Sequence, residues 1–564
     1  MLKRNSFLSP ILYVALAFCV GTVAHAQASP SDDVKPIVTV AFSGFEALVS
    51  DLNFVGNLAG NPQLGAALEM STMLATGGQE LKSLDKSKPW GGIAWADGPE
   101  IRGLAFVPLG DPEELKTIFE SNGVEFEETD GVVSASINNQ DVFLKNEGDW
   151  IFISGKSANL DTLPKDPASV LGGLQDSYNL AVRLDIQRIP KEMRDMLLGL
   201  LQLGMQSGMT QMPEESDKQY ALRKKMTTQS LEELTRAINE LNAIQLGLAI
   251  DEKVPSIYLD VEITAMPDTE TAKRITAPKG MKTSFGGFVV PNATVSYNGV
   301  SRLEQLQVDQ VKMMIDEFHK NINKELDDQE LPEDTAKASK QLIDDAFAII
   351  TSTVEGREVD LGAFFQTGDE QVVMLGGIRV ADGAKLEDIL KKVVEEAAKD
   401  LPPLKEAVKF DAAEHAGVRL HTLTIPTGEL GVSEVAELFG EELVVVVGAS
   451  DKAAYLSVGT DSLETLKKAL DDSKSAKDLP PASVTVSVKA IAELVAKYAP
   501  EEQAQSAAKM IIEKLADSKG KDRITITTTI PENGQKVRVE IEEELLKILG
   551  VIPAIVMGAM PMGG

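Results

Sequence analysis

Two histidines, His415 and His421, flank Ala416-Gly417-Val418-Arg419-Leu420 in a chain that holds four histidines in all. On a single strand an even spacing puts both on one face, and Glu414 adds a carboxylate. A zinc site converges three or four ligands. No third ligand is evident in the sequence, so the pair reads as two exposed strand histidines and no metal is expected. Methionines cluster at Met193, Met196, Met205, Met209 and Met212, and again at Met557, Met560 and Met562. Thioethers are soft enough to hold copper(I). Met193 with Met196, and Met205 with Met209, also sit at helical spacing, which is the pattern of adaptable core or interface packing, and that reading is preferred.

Nucleophile chemistry has little to stand on. Ser83-Leu84-Asp85-Lys86 and Ser506-Ala507-Ala508-Lys509 carry a serine–lysine spacing in which lysine activates a hydroxyl, and Lys282-Thr283-Ser284 is a poor third element. There is no Ser-Asp-Asn, no Gly-x-Ser-x-Gly elbow and no His-Glu-x-x-His helix. Gly91-Gly92 and Gly172-Gly173 lack the partners of a phosphate loop or a dinucleotide turn. Acidic residues abound, so a carboxylate pair for hydrolysis stays open, but aromatics are only 5% of the chain, sparse for sugar stacking. Trp90, Trp95 and Trp150 lie in or beside alternating strands and read as core anchors, with Tyr455 their counterpart later in the chain. No catalytic, cofactor-binding or metal residue is assigned.

These side chains belong to a chain expected to be exported. Lys3 and Arg4 precede an apolar run from Ile11 to Val20, and Ala24-His25-Ala26 offers a cleavage site, so residues 1–26 read as a secretory signal peptide. The apolar run is short for a membrane span. Cys19 is the only cysteine, and Phe18 before it disfavours a lipoprotein signal. Cleavage removes Cys19, leaving a mature chain without disulfides that must be held by its core. The net charge is −31, and losing Lys3 and Arg4 makes the mature chain two units more acidic. Such a surface repels nucleic acid, and no nucleic-acid partner is expected.

The elements that carry these residues recur in a pattern of strand, helix pair, two-strand hairpin and short helix. Opening strands are expected at Ile37–Ala41, Leu180–Leu184, Ala293–Tyr297 and Ser483–Val488. Helices are expected at Phe45–Leu58 and Leu64–Leu74, Lys191–Gly204 and Leu231–Leu241, Glu304–Asn321 and Asp334–Thr351, and Ala490–Tyr498 and Glu501–Ala516. Hairpins follow each pair, and Asp111-Pro112-Glu113-Glu114 caps a short helix through Phe119. Extra strands at Val142–Lys145 and Trp150–Gly155 match those at Leu443–Gly448 and Tyr455–Gly459. The domain reading is a first half at 35–279, a second half at 283–549, each of two related units, and an apolar Met/Gly/Pro tail at 550–564, with the seam near 277–287.

Short hairpin links imply antiparallel pairing. The fold class is α+β: two tandem related halves, each a mostly antiparallel sheet with helices packed on one face. In its signal peptide, acidic mature chain and repeated strand–helix–hairpin units, the chain resembles the large secreted bacterial proteins that carry domains of unknown function. That resemblance implies export and transfers no functional residue. The expectation for function is a non-enzymatic periplasmic or secreted protein, binding or structural. Its partner is an unknown protein or an apolar small molecule, with no transmembrane span after signal cleavage. Two alternatives stand beside it: a carrier of an apolar or lipid-like ligand in a cavity between sheets and helices, and a hydrolase using unrecognised carboxylates.

Overall fold

The computed structural model describes residues 35–75, 84–98, 100–109, 126–137, 140–161, 163–207, 210–213, 215–328, 332–368, 372–429, 433–475 and 479–550. The signal peptide with Cys19, Ser83, the helix at 111–119, Met209 and the tail from residue 551, with Met557, Met560 and Met562, lie outside the described residues. The chain is a mixture of helix and antiparallel sheet and groups into two compact units, divided at Thr276, with the segment from Pro531 returning to unit one. By sequence that segment was expected in the second half.

Unit one holds β1 (Val38–Phe42), β2 (Trp90–Asp97), β3 (Glu100–Pro108), β4 (Phe126–Thr129), β5 (Val132–Ile137), β6 (Gln140–Glu147), β7 (Trp150–Ser154), β8 (Leu180–Asp185), β9 (Leu241–Asp251) and β10 (Ser256–Ala265). Its strands run in the spatial order β10-β9-β8-β1-β2-β3-β7-β6-β5-β4, antiparallel throughout. Unit two holds β11 (Val295–Arg302), β12 (Glu358–Thr367), β13 (Val372–Arg379), β14 (Val408–His415), β15 (Val418–Pro426), β16 (Glu442–Ser450), β17 (Ala453–Gly459), β18 (Ala482–Ser487) and β19 (Arg523–Thr529). Their order is β19-β18-β11-β12-β13-β17-β16-β15-β14, again antiparallel. The last strand, β20 (Gly534–Glu542), pairs with β10 at the edge of unit one, from Ser256↔Glu542 to Thr264↔Gly534.

Helix pairs sit between the first and second strand of four strand triplets. They are α1 (Phe45–Leu58) and α2 (Leu64–Ala75), α3 (Lys191–Ser207) and α4 (Asp217–Glu240), α5 (Gln305–Asp327) and α6 (Glu333–Glu355), then, after α7 (Gly383–Asp400) and α8 (Ser462–Ser475), α9 (Val488–Tyr498) and α10 (Glu502–Lys514). The expected start of α4 at Leu231 is corrected to Asp217. Residues 218–230 are too polar to show an apolar stripe, but Ser216 and Gln219 close a capping box that starts the helix about four turns before Leu231.

Each unit packs its main core against one face of its strands. In unit one, Leu160, Leu171, Leu174 and Tyr178 from the segment before β8 pack on Ile93, Trp95, Leu104 and Phe106. In unit two, Phe285 and Phe288 with Leu466 and Leu470 of α8 pack on Phe364, Leu375, Leu420 and Val446. Small residues admit these rings: a Cβ on Gly247 would lie 2.4 Å from the Tyr178 ring, and one on Gly377 2.5 Å from the Phe285 ring. Unit two departs from the expected single helical face. α8 lies on the Leu375 side, whereas α7 leans over Val447 and Ala449 on the other.

Candidate functional site

Antiparallel partners point to the same side of a sheet, so the register fixes which residues share the second face. In unit one that face carries Val38 and Val40 of β1, Val182 and Leu184 of β8, Ile244, Leu246 and Leu248 of β9, and Leu259 and Val261 of β10, continued by Val537 and Val539 of β20. Apolar residues normally turn inward from an alternating strand. Here the alternation is inverted: Leu259 is 42% exposed, while its neighbour Asp260 is 1% exposed. Leu246 and Leu248 are likewise exposed. Each leucine left in this state forgoes roughly 1 kcal/mol of burial.

Unit two repeats the arrangement. Its second face carries Val484 and Val486, Val295 and Tyr297, Leu361, Ala363 and Phe365, Met374 and Ile378, and Leu456 and Val458. Met374, Ile378 and Leu456 are exposed. A depression of about 320 Å³ lies over Leu361, Ala363, Gly376, Ile378 and Leu456. Beside it a cavity of about 280 Å³ is bounded by Leu386, Ile389, Leu390 and Val393 of α7 and by Val447 and Ala449 of β16. The walls are aliphatic, with Glu387 the one charged lining residue.

Glu387 belongs to a charge network at the margin of this face. Arg419 donates to its Oε2 through Nε at 2.6 Å, and Lys391 Nζ stands 2.7 Å from Oε1. Burial pushes the Glu387 carboxyl up, but the hydrogen bonds from Arg419 and Lys391 outweigh it and hold the group below its ordinary range. His421 is 3% exposed, which corrects the expectation of two exposed histidines on one strand. The turn at Ala416-Gly417 divides the pair between β14 and β15, and His415 instead meets Asp471 at 2.8 Å.

The structure supplies the carboxylates that the sequence spacing lacked. Oxygens of Glu387 and Asp411 and a nitrogen of His421 all lie within 4.8 Å of one another. The donors nonetheless do not fit a cation. The Asp411 backbone N–H donates to His421 Nδ1 at 2.9 Å, so the neutral ring carries its proton on Nε2. Nε2 is 3.3 Å from Glu387 Oε1 but out of line for a hydrogen bond, and both Glu387 oxygens are committed to cationic side chains. Burial lowers the His421 pKa, keeping the imidazole neutral in a network of two acids and two bases.

A second buried charge lies on the covered face of unit one. Arg538 of β20 makes a two-pronged contact with Asp260, Nε–Oδ1 at 2.7 Å and Nη2–Oδ2 at 2.9 Å. Lys536 approaches Oδ2 at 2.7 Å, and the Tyr178 hydroxyl donates to it at 3.0 Å. Burial pushes Asp260 up, yet these donors hold it below its usual value. Burial and the neighbouring Asp260 raise Tyr178 to about 12. Asp51 differs: burial and Glu252 raise its carboxyl, while Asn179 pulls the other way.

The remaining sequence candidates disperse. Met196 and Met212 are exposed, outside any core, and Met193 and Met205 are half-buried. Ser506 and Lys509 are exposed on α10. Thr283 and Ser284 hydrogen-bond to the buried Asp360 carboxylate at 2.6 and 2.7 Å, a structural use. Trp95 is in the core; Trp150 packs against it; Trp90 stacks on Phe42 with centroids 4.2 Å apart. The open apolar faces were missed because strand alternation reports that one side is apolar without saying which side is covered. No family model matches this chain, and no curated protein or solved structure was found similar to it.

Proposed function

We propose that this is an exported, non-enzymatic binding protein that carries an apolar, lipid-like ligand against its open sheet faces. The observation that supports it is the pair of uncovered apolar faces, Leu246, Leu248 and Leu259 in unit one and Met374, Ile378 and Leu456 in unit two. Soluble chains rarely leave contiguous apolar surface of this kind without an interaction to fill it. The aliphatic cavity under α7 fits the same reading, being close to the lower end of small-molecule sites in size. We take the chain to be two related halves. The strand order β9-β8-β1-β2-β3-β7-β6-β5-β4 of unit one recurs element for element in unit two, so each half offers one face. Export rests on the basic–apolar–small pattern of residues 1–26.

The test is native mass spectrometry of mature protein purified without detergent, followed by solvent extraction. Retained lipid mass, released by Leu456→Glu or Leu246→Glu in a protein that still folds, is the expected result. Ligand-free protein that also fails to take up a fluorescent fatty acid ends the carrier reading.

A further inference from the structure

The α3–α4 hairpin of unit one presents a second kind of apolar surface. Met196, Leu200 and Leu203 follow one another at helical spacing along α3, with Leu197 and Leu201 beside them, and all five are exposed. Leu200 is 60% and Leu203 65% exposed. They run through the middle of α3, and Met212 in the connecting turn is exposed as well. The contacts that hold the hairpin to unit one are at its base: Arg194 to Gln187 at 2.8 Å, Gln187 to the Asn239 carbonyl at 2.9 Å, and Arg274 to Glu233 at 3.3 Å. The far end is braced by its own residues. Arg223 grips Glu215 with two 2.7 Å bonds, and Gln211 donates to Asp217 at 3.1 Å.

Charge at this end runs against the rest of the chain. Between residues 214 and 225, Lys218, Arg223, Lys224 and Lys225 outnumber Glu214, Glu215 and Asp217 by one, in a protein of net charge −31. Lys224 and Lys225 are on the exposed side of α4. Exposed leucines and methionines collared by lysines are the composition of helices that lie in a membrane interface. The acidity of the remaining chain does not forbid this. α4 has 24 residues, which at 1.5 Å each is about 36 Å, against a screening length of about 8–10 Å in physiological salt. Lys224 therefore stands about 24 Å from the base end of α4, between two and three screening lengths. No described helix is long and apolar enough to cross a membrane, so the contact is with the surface.

We propose that the outer flank of the α3–α4 hairpin docks on an anionic lipid bilayer, with Leu200 and Leu203 entering the interface and Lys224 and Lys225 meeting the headgroup phosphates. This surface supplies the carrier face with ligand at its source, but the two readings fail separately. Lipid retention tests the first, and vesicle binding tests the second whether or not lipid is retained.

The experiment is flotation of the full mature chain with vesicles of phosphatidylcholine, or of phosphatidylcholine with phosphatidylglycerol, at low and high salt. Expected is binding to the phosphatidylglycerol vesicles that weakens with salt. Leu200→Ser with Leu203→Ser should weaken it roughly a hundredfold, and Lys224→Gln with Lys225→Gln about tenfold. Circular dichroism confirms that each variant keeps its helices. If the leucine pair unfolds the hairpin, the lysine pair, on exposed positions, carries the test alone. No binding to either vesicle, equal binding to both, or unchanged binding by the lysine variant overturns the proposal. So does self-association of the free chain abolished by the leucine pair, which makes the patch a contact between copies.

Discussion

Replacing Arg538 by methionine keeps most of the side-chain volume and removes the charge, leaving Asp260 with Lys536 and Tyr178 only. The Asp260 side chain is 2% exposed and that of Arg538 35%. Breaking a buried pair by deleting one partner costs about 3–5 kcal/mol, because the other charge is stranded. Two features set the size here. Lys536 still neutralises part of the carboxylate, and the guanidinium is a third exposed, so water already screens it. Its seat on the Tyr258 ring, 3.7 Å from the centroid, adds a smaller loss. We expect a cost of about 3 kcal/mol, which lowers the melting temperature of a unit this size by roughly 6–12 °C.

The sign with pH is fixed. Asp260 has a folded pKa below its unfolded value. Its contribution is therefore fully present above pH about 4 and is lost as pH falls through the folded value. The deficit of Arg538→Met is greatest at neutral pH and narrows in acid. Adding Asp260→Asn removes the stranded charge, so the double variant recovers part of the loss. Urea titrations of the three proteins at neutral and acid pH read all of this. A single variant within about 1 kcal/mol of wild type, or a deficit that grows in acid, would show that water reaches Asp260 and that the network does not tie β20 to β10.

Three further outcomes follow from the geometry. His421→Gln removes a ring whose folded pKa lies below its unfolded value, facing Glu387, Lys391, Asp411 and Arg419. The wild type loses stability as pH drops below about 6.5, the variant loses less, and melting temperatures between pH 7 and 5 report the difference. Asp51→Asn relieves a carboxyl whose pKa is raised by burial and Glu252. It gains about 0.5 kcal/mol at neutral pH and nothing in strong acid, where the native carboxyl is protonated; thermal melts at the two pH values separate these. Gly459→Ala meets a backbone φ of +124° with its Cβ 1.9 Å from the Val372 carbonyl oxygen, and a loss of about 3 kcal/mol or more in denaturant is expected.

The sequence by itself determined the order of elements. Alternation at Ile244–Ile250 and Ser256–Ile263 and the apolar stripe of Lys191–Gly204 fixed strands and helix near where they lie, because period and turn chemistry are local. It missed β4, β5 and most of α4, whose residues are too polar or too short to show a period. What tertiary structure alone decided is which side of each strand meets the core. In unit one Gly247 leaves room for the Tyr178 ring, Asp260 meets Arg538 and the Tyr178 hydroxyl on that same face, and Leu246 and Leu259 are turned outward; in unit two Gly377 leaves room for Phe285, and Leu456 is turned outward. The charge network followed the same logic: Glu387 and Asp411 reach His421 from a different helix and strand, a convergence that spacing along the chain does not record.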